Sequence, residues 1–230
     1  MNLAVANPAS GSAGGRAAIS RRRRAEIVRA AATVLGRQGS ADTSMKEIAR
    51  ETGVAPGLLH YYFESKDELL LAVSGELDRQ MSEAWAAAVE GIEDPLERLV
   101  AALDTAAGLC ARHPELWRAL LDVSMLSLSH PALQARCQEL RTRFVAGIEA
   151  EVRGALGRLP AYSLVAPGDL ASAIGGAIEG AAVAALVGGR DTTSWMRALK
   201  VMVLSVVVTA YVTAGMEPPV ARLAQLLRPR

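Results

Sequence analysis

The stretch TSMKEIARETGVAPGLLHYYFESKDELL, Thr43 to Leu70, contains three helix starts in quick succession. Ser44 followed three residues later by Glu47 is a capping-box pair, which predicts a helix from Met45. Gly53 ends it after two turns, because the stop needs a left-handed residue. Pro56 suits the first position of the next helix, where its missing N–H was an orphan anyway, and this predicts a helix from Pro56 to Tyr62. Ser65 and Glu68 repeat the capping pattern and open a long helix to about Ala88. Just upstream, Ile27, Val28, Ala31, Val34 and Leu35 form one helical stripe, and Gly39 is its stop. A helix backing two short ones joined by a tight glycine turn is a helix-turn-helix unit.

Four aromatic or heteroaromatic side chains stand together at 60–63, in a chain with only 4% Phe, Trp and Tyr. On the helix from Pro56, Leu59 and Phe63 are four apart and share the inward face. Tyr62 lies near that face, open to a packing role or a contact role. Gly57, Leu58, His60 and Tyr61 are expected to point outward. Glycine lets a backbone approach DNA closely, leucine suits a thymine methyl, and His60 and Tyr61 reach phosphates or base edges. Lys66 at the next helix start suits a phosphate, and Thr43 and Ser44 offer hydroxyls and amides at another helix N-terminus.

Charge supports an anionic partner for this part alone. Through Phe63 there are nine lysines and arginines against four acids, whereas the rest carries sixteen against twenty. Arg21 to Arg24 are a basic run at the start of this unit. A basic quarter on a mildly acidic body suits double-stranded DNA.

The residues IVRAAATVLGRQG and TSMKEIARETGVAPGLLHYYFESKDELL resemble the DNA-binding domain of the TetR family of bacterial one-component repressors, over about residues 21–73. The family's GTLYYHF or GTLYHYF reads GLLHYYF here, with Leu58 for Thr and His60 for Tyr, and Ala55 stands where a Ser often caps the helix. The resemblance implies a helical C-terminal domain that dimerises and binds a small-molecule effector. The stretch HPELWRALLDVSMLSLSHPALQARCQELRTRF is similar to the ligand domain of choline-responsive BetI-type members.

The remaining sequence reads as helix throughout, so the expected fold is all-α. The expected organisation is a flexible arm (1–19), a helix-turn-helix domain (20–64), an effector-binding and dimerisation domain (65–216) and a C-terminal tail (217–230). Helices are predicted from Pro95 behind an Asp94 cap to about Arg112, from about Glu115 to Leu128 and from Ala132 to Leu156. Asp169–Val187 and Ser194–Ala214 are apolar nearly all round and must be buried. A four-helix bundle with two helices from each subunit would bury them, and Gly176 and Gly180 would permit close contact. A membrane hairpin is the rival. Against it, the run from Val201 to Gly215 is ~15 residues where a span needs ~20, and Glu179 interrupts the other segment.

Trp117, Leu121, Met125, Cys137 and Phe144 are candidate effector-cavity residues, each with plain core packing as the alternative. Glu179 pairs across a dimer with Arg141 or Arg143, or meets a polar ligand group. Cys110 and Cys137 are expected as buried thiols, and no secretory signal opens the chain, which suggests a reducing cytoplasm. The three histidines lack catalytic spacing, and no phosphate-binding or dinucleotide fingerprint follows a strand. Catalysis, metal and cofactor are therefore not expected. A ligand-responsive repressor on a palindromic operator is the leading function, with a non-catalytic helical scaffold as the alternative.

Overall fold

A computed structural model describes residues 11–40, 43–157, 159, 165–189 and 192–227. Among these residues all regular structure is helical: α1 (Gly11–Gln38), α2 (Met45–Thr52), α3 (Pro56–Tyr62), α4 (Lys66–Val89), α5 (Pro95–Arg112), α6 (Pro114–Ser127), α7 (Pro131–Leu156), α8 (Pro167–Gly188), α9 (Thr192–Thr213) and α10 (Val220–Leu226).

The helix ends follow local chemistry. At α2 the Ser44 hydroxyl accepts from the Glu47 amide at 3.2 Å, and the Glu47 carboxylate accepts from the Ser44 amide at 2.7 Å. Gly53 ends α2 at φ +66°. At α4 the capping box is displaced by one residue. Ser65 caps Glu68 as expected, but the Glu68 carboxylate accepts from the Glu64 amide at 2.8 Å. Pro95, Pro114, Pro131 and Pro167 each sit at the start of a helix. Three of these starts therefore fall one or two residues before the expected Glu115, Ala132 and Asp169, because proline counts as the first helical residue.

Both chain ends correct the expected arm and tail. α1 reaches back to Gly11, so residues 11–19 are helical, while 1–10 of the expected arm lie outside the described residues. Glycines weaken a helix by about 1 kcal/mol each without necessarily breaking it, and residues 11–19 contain no proline. The expected tail contains α10, whose Leu223 and Leu226 are buried. Arg222 on α10 bonds Asp94 at 2.8 Å and Glu97 at 2.7 Å, which ties the helix to the start of α5.

One continuous core runs through the chain. At its N-terminal end Ile27, Ala31 and Leu35 of α1 pack with Ile48, Leu59 and Phe63. α4 carries that packing, through Leu69, Leu70 and Val73, into α5–α9. Inside the larger part, Arg98 grips the buried Glu151 with two bonds of 2.9 and 3.0 Å, joining α5 to α7. Lys200 bonds Asp104 at 2.6 Å, joining α9 to α5.

The last long helices depart from expectation. α9 is a full 22 residues, so the expected shortness of its apolar run does not hold. By length and composition alone, α8 and α9 could each cross a membrane. Only a third of each apolar window is buried within the single chain, and the expected burial was in a bundle with a second subunit. A Cβ at Gly176 would meet nothing within 4 Å, and one at Gly180 would touch only the Trp195 ring, at 3.8 Å. Both are exposed, and the glycine that admits a neighbouring helix is Gly175, against Phe144 and Ile148.

Candidate nucleic-acid interface and effector cavity

The short helix α3 is split lengthwise by burial. Leu59, and Phe63 just beyond its end, are fully buried. Gly57, His60 and Tyr61 are exposed; their spacing of three and four residues sets them on one face. Tyr61 is 76% exposed and meets Tyr62 edge to face, with ring centroids 5.1 Å apart. Around Gly57 the space is open, with no atom within 4 Å of where a Cβ would stand.

Leu58 corrects the expected outward placement. It is half-buried and packed against the core, as is Tyr62 four residues on. Leu58 and Tyr62 are four residues apart and share one edge of the helix, and it is this edge, not the edge carrying His60, that packs against the core.

Two expected DNA contacts are occupied within the chain. The Thr43 hydroxyl is buried and donates to the Gly39 carbonyl at 2.6 Å. The Lys66 ammonium donates to the Ser40 carbonyl from a half-buried position. It keeps two further donors, but its first task is to brace the α1–α2 turn. Ser44 is exposed, with its hydroxyl bonded to Glu47 at 2.7 Å. That bond, with the Ser44 amide, holds the Glu47 carboxyl below its usual range. Beside it Lys46 is an exposed cation that sequence reasoning passed over. In the basic run, Arg22 and Arg23 each reach Glu26 at 3.1 Å, and Arg24 lies 4.5 Å from the Phe63 ring centroid.

In the larger part, α4, α6, α7 and α8 line a cavity of about 390 Å³ that opens to solvent at Met125 and Leu128. Trp117, Leu121, Met125, Cys137, Phe144 and Glu179 all line it, as do Ser74, Asp78 and Arg141. Glu179 bonds Arg141 at 2.6 Å within the chain, rather than across an interface. Asp78 faces Arg143 at 3.7 Å. Cys110 is buried as expected, and burial pushes its thiol up to about 12; Cys137 is only half-buried, against expectation, and burial pushes its thiol up despite a bond with Ser127. The Trp117 indole N–H is buried and has no hydrogen-bond partner among the described residues, a defect that ordinarily costs about 1–3 kcal/mol.

One helix touches both regions. Trp117, Leu120, Leu121 and Ser124 of α6 line the cavity. On its other side, Arg118 donates to the carbonyls of Gly36 at 3.1 Å and Arg37 at 3.4 Å, and Asp122 accepts from the Ser40 amide at 2.8 Å. At Gly36 a Cβ would stand 2.1 Å from that of Glu115. This latch had no local signal, because its partners are about 80 residues apart.

The model of bacterial regulatory proteins of the tetR family matches residues 27–73. The HTH-type transcriptional regulator BetI of Brucella anthropi is 42% identical over 79 residues, which are 34% of this chain and 41% of that protein. The chain thus spans about two fifths of the length of the curated relatives it matches. A TetR transcription regulator from Haloarcula marismortui superposes with a TM-score of 0.69 at 22% identity, over 83% of this chain and 98% of its own. A transcriptional-regulator structure from Saccharomonospora viridis, in complex with choline, gives 0.69 at 21%, over 80% and 96%. At such identities the likeness is one of fold. The relatives' names describe regulators of transcription and no enzyme.

Proposed function

We propose, from the premise that residues 27–73 are a TetR-family helix-turn-helix domain, that the protein is a dimeric repressor released from a palindromic DNA operator by a small-molecule effector. The observation that carries this reading is the exposed Gly57, His60 and Tyr61 face of α3, held on a buried Leu59–Phe63 base. In this reading α3 enters the major groove, with phosphates met by Ser44, Lys46 and the remaining donors of Lys66.

Exposed aliphatic residues on α8 and α9 support dimerisation. Val183, Val187, Val201, Met202 and Val212 are exposed, as is Trp195. A two-fold bundle of α8 and α9 from two copies would cover them, and would put the GxxxG face of Gly176 and Gly180 to use. Such a dimer would sit in the cytoplasm and need no membrane, and would make residues 65–216 the effector and dimerisation domain.

The cavity supports effector control, and α6 supplies the linkage. A ligand that displaces Trp117 or Leu121 strains the Arg118 and Asp122 contacts to the α1–α2 turn. It acts only if it binds the DNA-incompetent spacing of the two heads more tightly than the competent one. The choline of the Saccharomonospora complex makes choline one probe to try.

Genomic footprinting with the full chain, followed by anisotropy titrations on the recovered sites, tests the whole reading. Expected are palindromic sites, an affinity that falls steeply with salt, and a mass twice the 24.2 kDa chain. Salt-insensitive or sequence-blind binding would favour the scaffold instead.

A further inference from the structure

We infer that the ligand of the α4–α6–α7–α8 cavity is a single-chain amphiphile bound tail first, with its apolar chain against the floor and its polar head at the mouth beside Gln134 and Gln138 of α7. This deepens the effector reading above and rests on it. Exposure sorts the lining residues into a floor, a wall and a rim. Met81, Trp117 and Leu140 are buried, as are Ser74 and Ser127. Leu120, Leu121 and Phe144 are half-buried and form the apolar wall above them. Met125, Leu128, Gln134, Gln138 and Arg141 are exposed and form the rim.

The floor offers a ligand no free donor. The Ser74 and Ser127 hydroxyls donate to the carbonyls of Leu70 and Ser124 at 3.0 and 2.8 Å. The Trp117 indole nitrogen has almost no surface of its own, so no ligand touches it. A polar end sent inward would lose its water and gain no bond in return. An alkyl end needs none, and gains from every methylene it takes out of water. The rim is different, and its two sides differ from each other. α6 contributes Met125 and Leu128, 64% and 73% exposed, which suit the upper part of a chain. α7 contributes Gln134 and Gln138, one helical turn apart on one face, and neither side chain has a partner among the described residues. Each amide both donates and accepts, so the pair can hold a hydroxyl, carboxylate or ammonium head. The charges of the lining also face α7: Glu179 bonds Arg141, and Asp78 lies 3.7 Å from Arg143, both guanidiniums being exposed. A head of either sign thus meets charge and water on the same side. The volume of about 390 Å³ lies within the ~300–1,000 Å³ of small-molecule sites.

The test titrates the full-length chain, without DNA, with 1-octanol, octanoate and octylammonium in a calorimeter, each below its aggregation threshold. At least one head is expected to bind, and the three arms show which. For that head, affinity should rise about fourfold per methylene from the six-carbon to the ten-carbon chain, the worth of burying one CH₂. The eight-carbon chain with the same head at both ends should bind at least about tenfold more weakly, because its second head would lie on the floor. In the double variant Gln134→Ala/Gln138→Ala, the best probe should weaken by at least about threefold, with the step per methylene unchanged. Binding of none of the three probes, an affinity flat in chain length, a two-headed chain as tight as the one-headed, or an unweakened double variant overturns the inference. The first three are read on the wild-type chain, whatever becomes of the variant. Failure of the effector reading looks different: a one-headed chain then binds tail first while operator affinity stays unchanged. DNA release by choline, which has a head but no tail, with the octyl probes unbound would keep that reading and remove the inference.

Discussion

α3 and the α8–α9 pair both present side chains to solvent, and the two faces are opposites. The α3 face is a glycine, a histidine and a tyrosine over a buried base. The α8–α9 face is aliphatic, with Val187 84% and Met202 66% exposed. A hydrogen-bonding face with one bare backbone patch suits a hydrated polyanion that arrives and leaves. An aliphatic face of that extent suits permanent cover by a surface like itself. The difference teaches that the outward side of a helix states its partner's chemistry as plainly as the inward side states the core.

The sharpest way to break this comparison is to charge the aliphatic face. Met202→Asp should leave a monomer and lower operator affinity by about 100-fold or more, because two half-sites are no longer held together. Light scattering reads the mass; an unaltered dimer would mean that α9 is covered by something else. Next comes the joint between the regions. Gly36→Ala forces a methyl into the Glu115 backbone and should cost about 1–3 kcal/mol of stability in urea unfolding, as overpacking does. On α3, Tyr61→Ala should weaken operator binding about tenfold, or ~1.4 kcal/mol, with an unchanged melting temperature, since the ring is 76% exposed. A fall in melting temperature would make Tyr61 a packing residue.

Asp94→Ala removes the cap of α5 and should cost about 1 kcal/mol. Burial raises the Asp94 pKa, but bonds from Arg222 and from the Leu96 and Glu97 amides outweigh it and hold the carboxyl below 3.8. The stabilisation is therefore full above that value and is lost as pH falls through the lower, folded pKa. Asp94→Asn, which keeps a capping oxygen, should differ from wild type at pH 6 and converge with it in acid. The smallest effect has two signs. Gly57→Ala should stabilise the chain by about 0.5–1 kcal/mol, because nothing in the protein meets the added methyl. It should also weaken DNA binding, because DNA would meet that methyl. A gain in stability with unchanged DNA affinity would take Gly57 out of the interface.

Legibility tracked the range of the forces involved. Caps, glycine stops and helical stripes act within four residues, so α2, α3 and the start of α4 were readable to within a residue. The buried Leu59 and Phe63 followed from spacing alone. The cavity residues were readable only as candidates, since plain core packing was open to each bulky residue of the middle helices. What escaped depended on distant partners. Thr43 and Lys66 look free in sequence, and only folding brings the Gly39 and Ser40 carbonyls to them. Leu58 escaped for a finer reason: it and His60 lie on opposite edges beside Leu59, and spacing alone does not tell which edge packs against the core. The Arg141–Glu179 pair was foreseen by chemistry, but the sequence carried no signal of whether one chain or two would make it.

The contact of Gly36 with Glu115 and the grip of Arg118 and Asp122 also bear on protein engineering. In the proposed reading, the N-terminal helices and the larger part are natural units to exchange when a new DNA site is to answer to a new ligand. Here the seam between them is keyed rather than plain. A foreign head with any side chain at position 36 would collide with α6, and one with a different turn would leave Arg118 and Asp122 without partners. Working chimaeras of this protein will need positions 36–40 to travel with 115, 118 and 122.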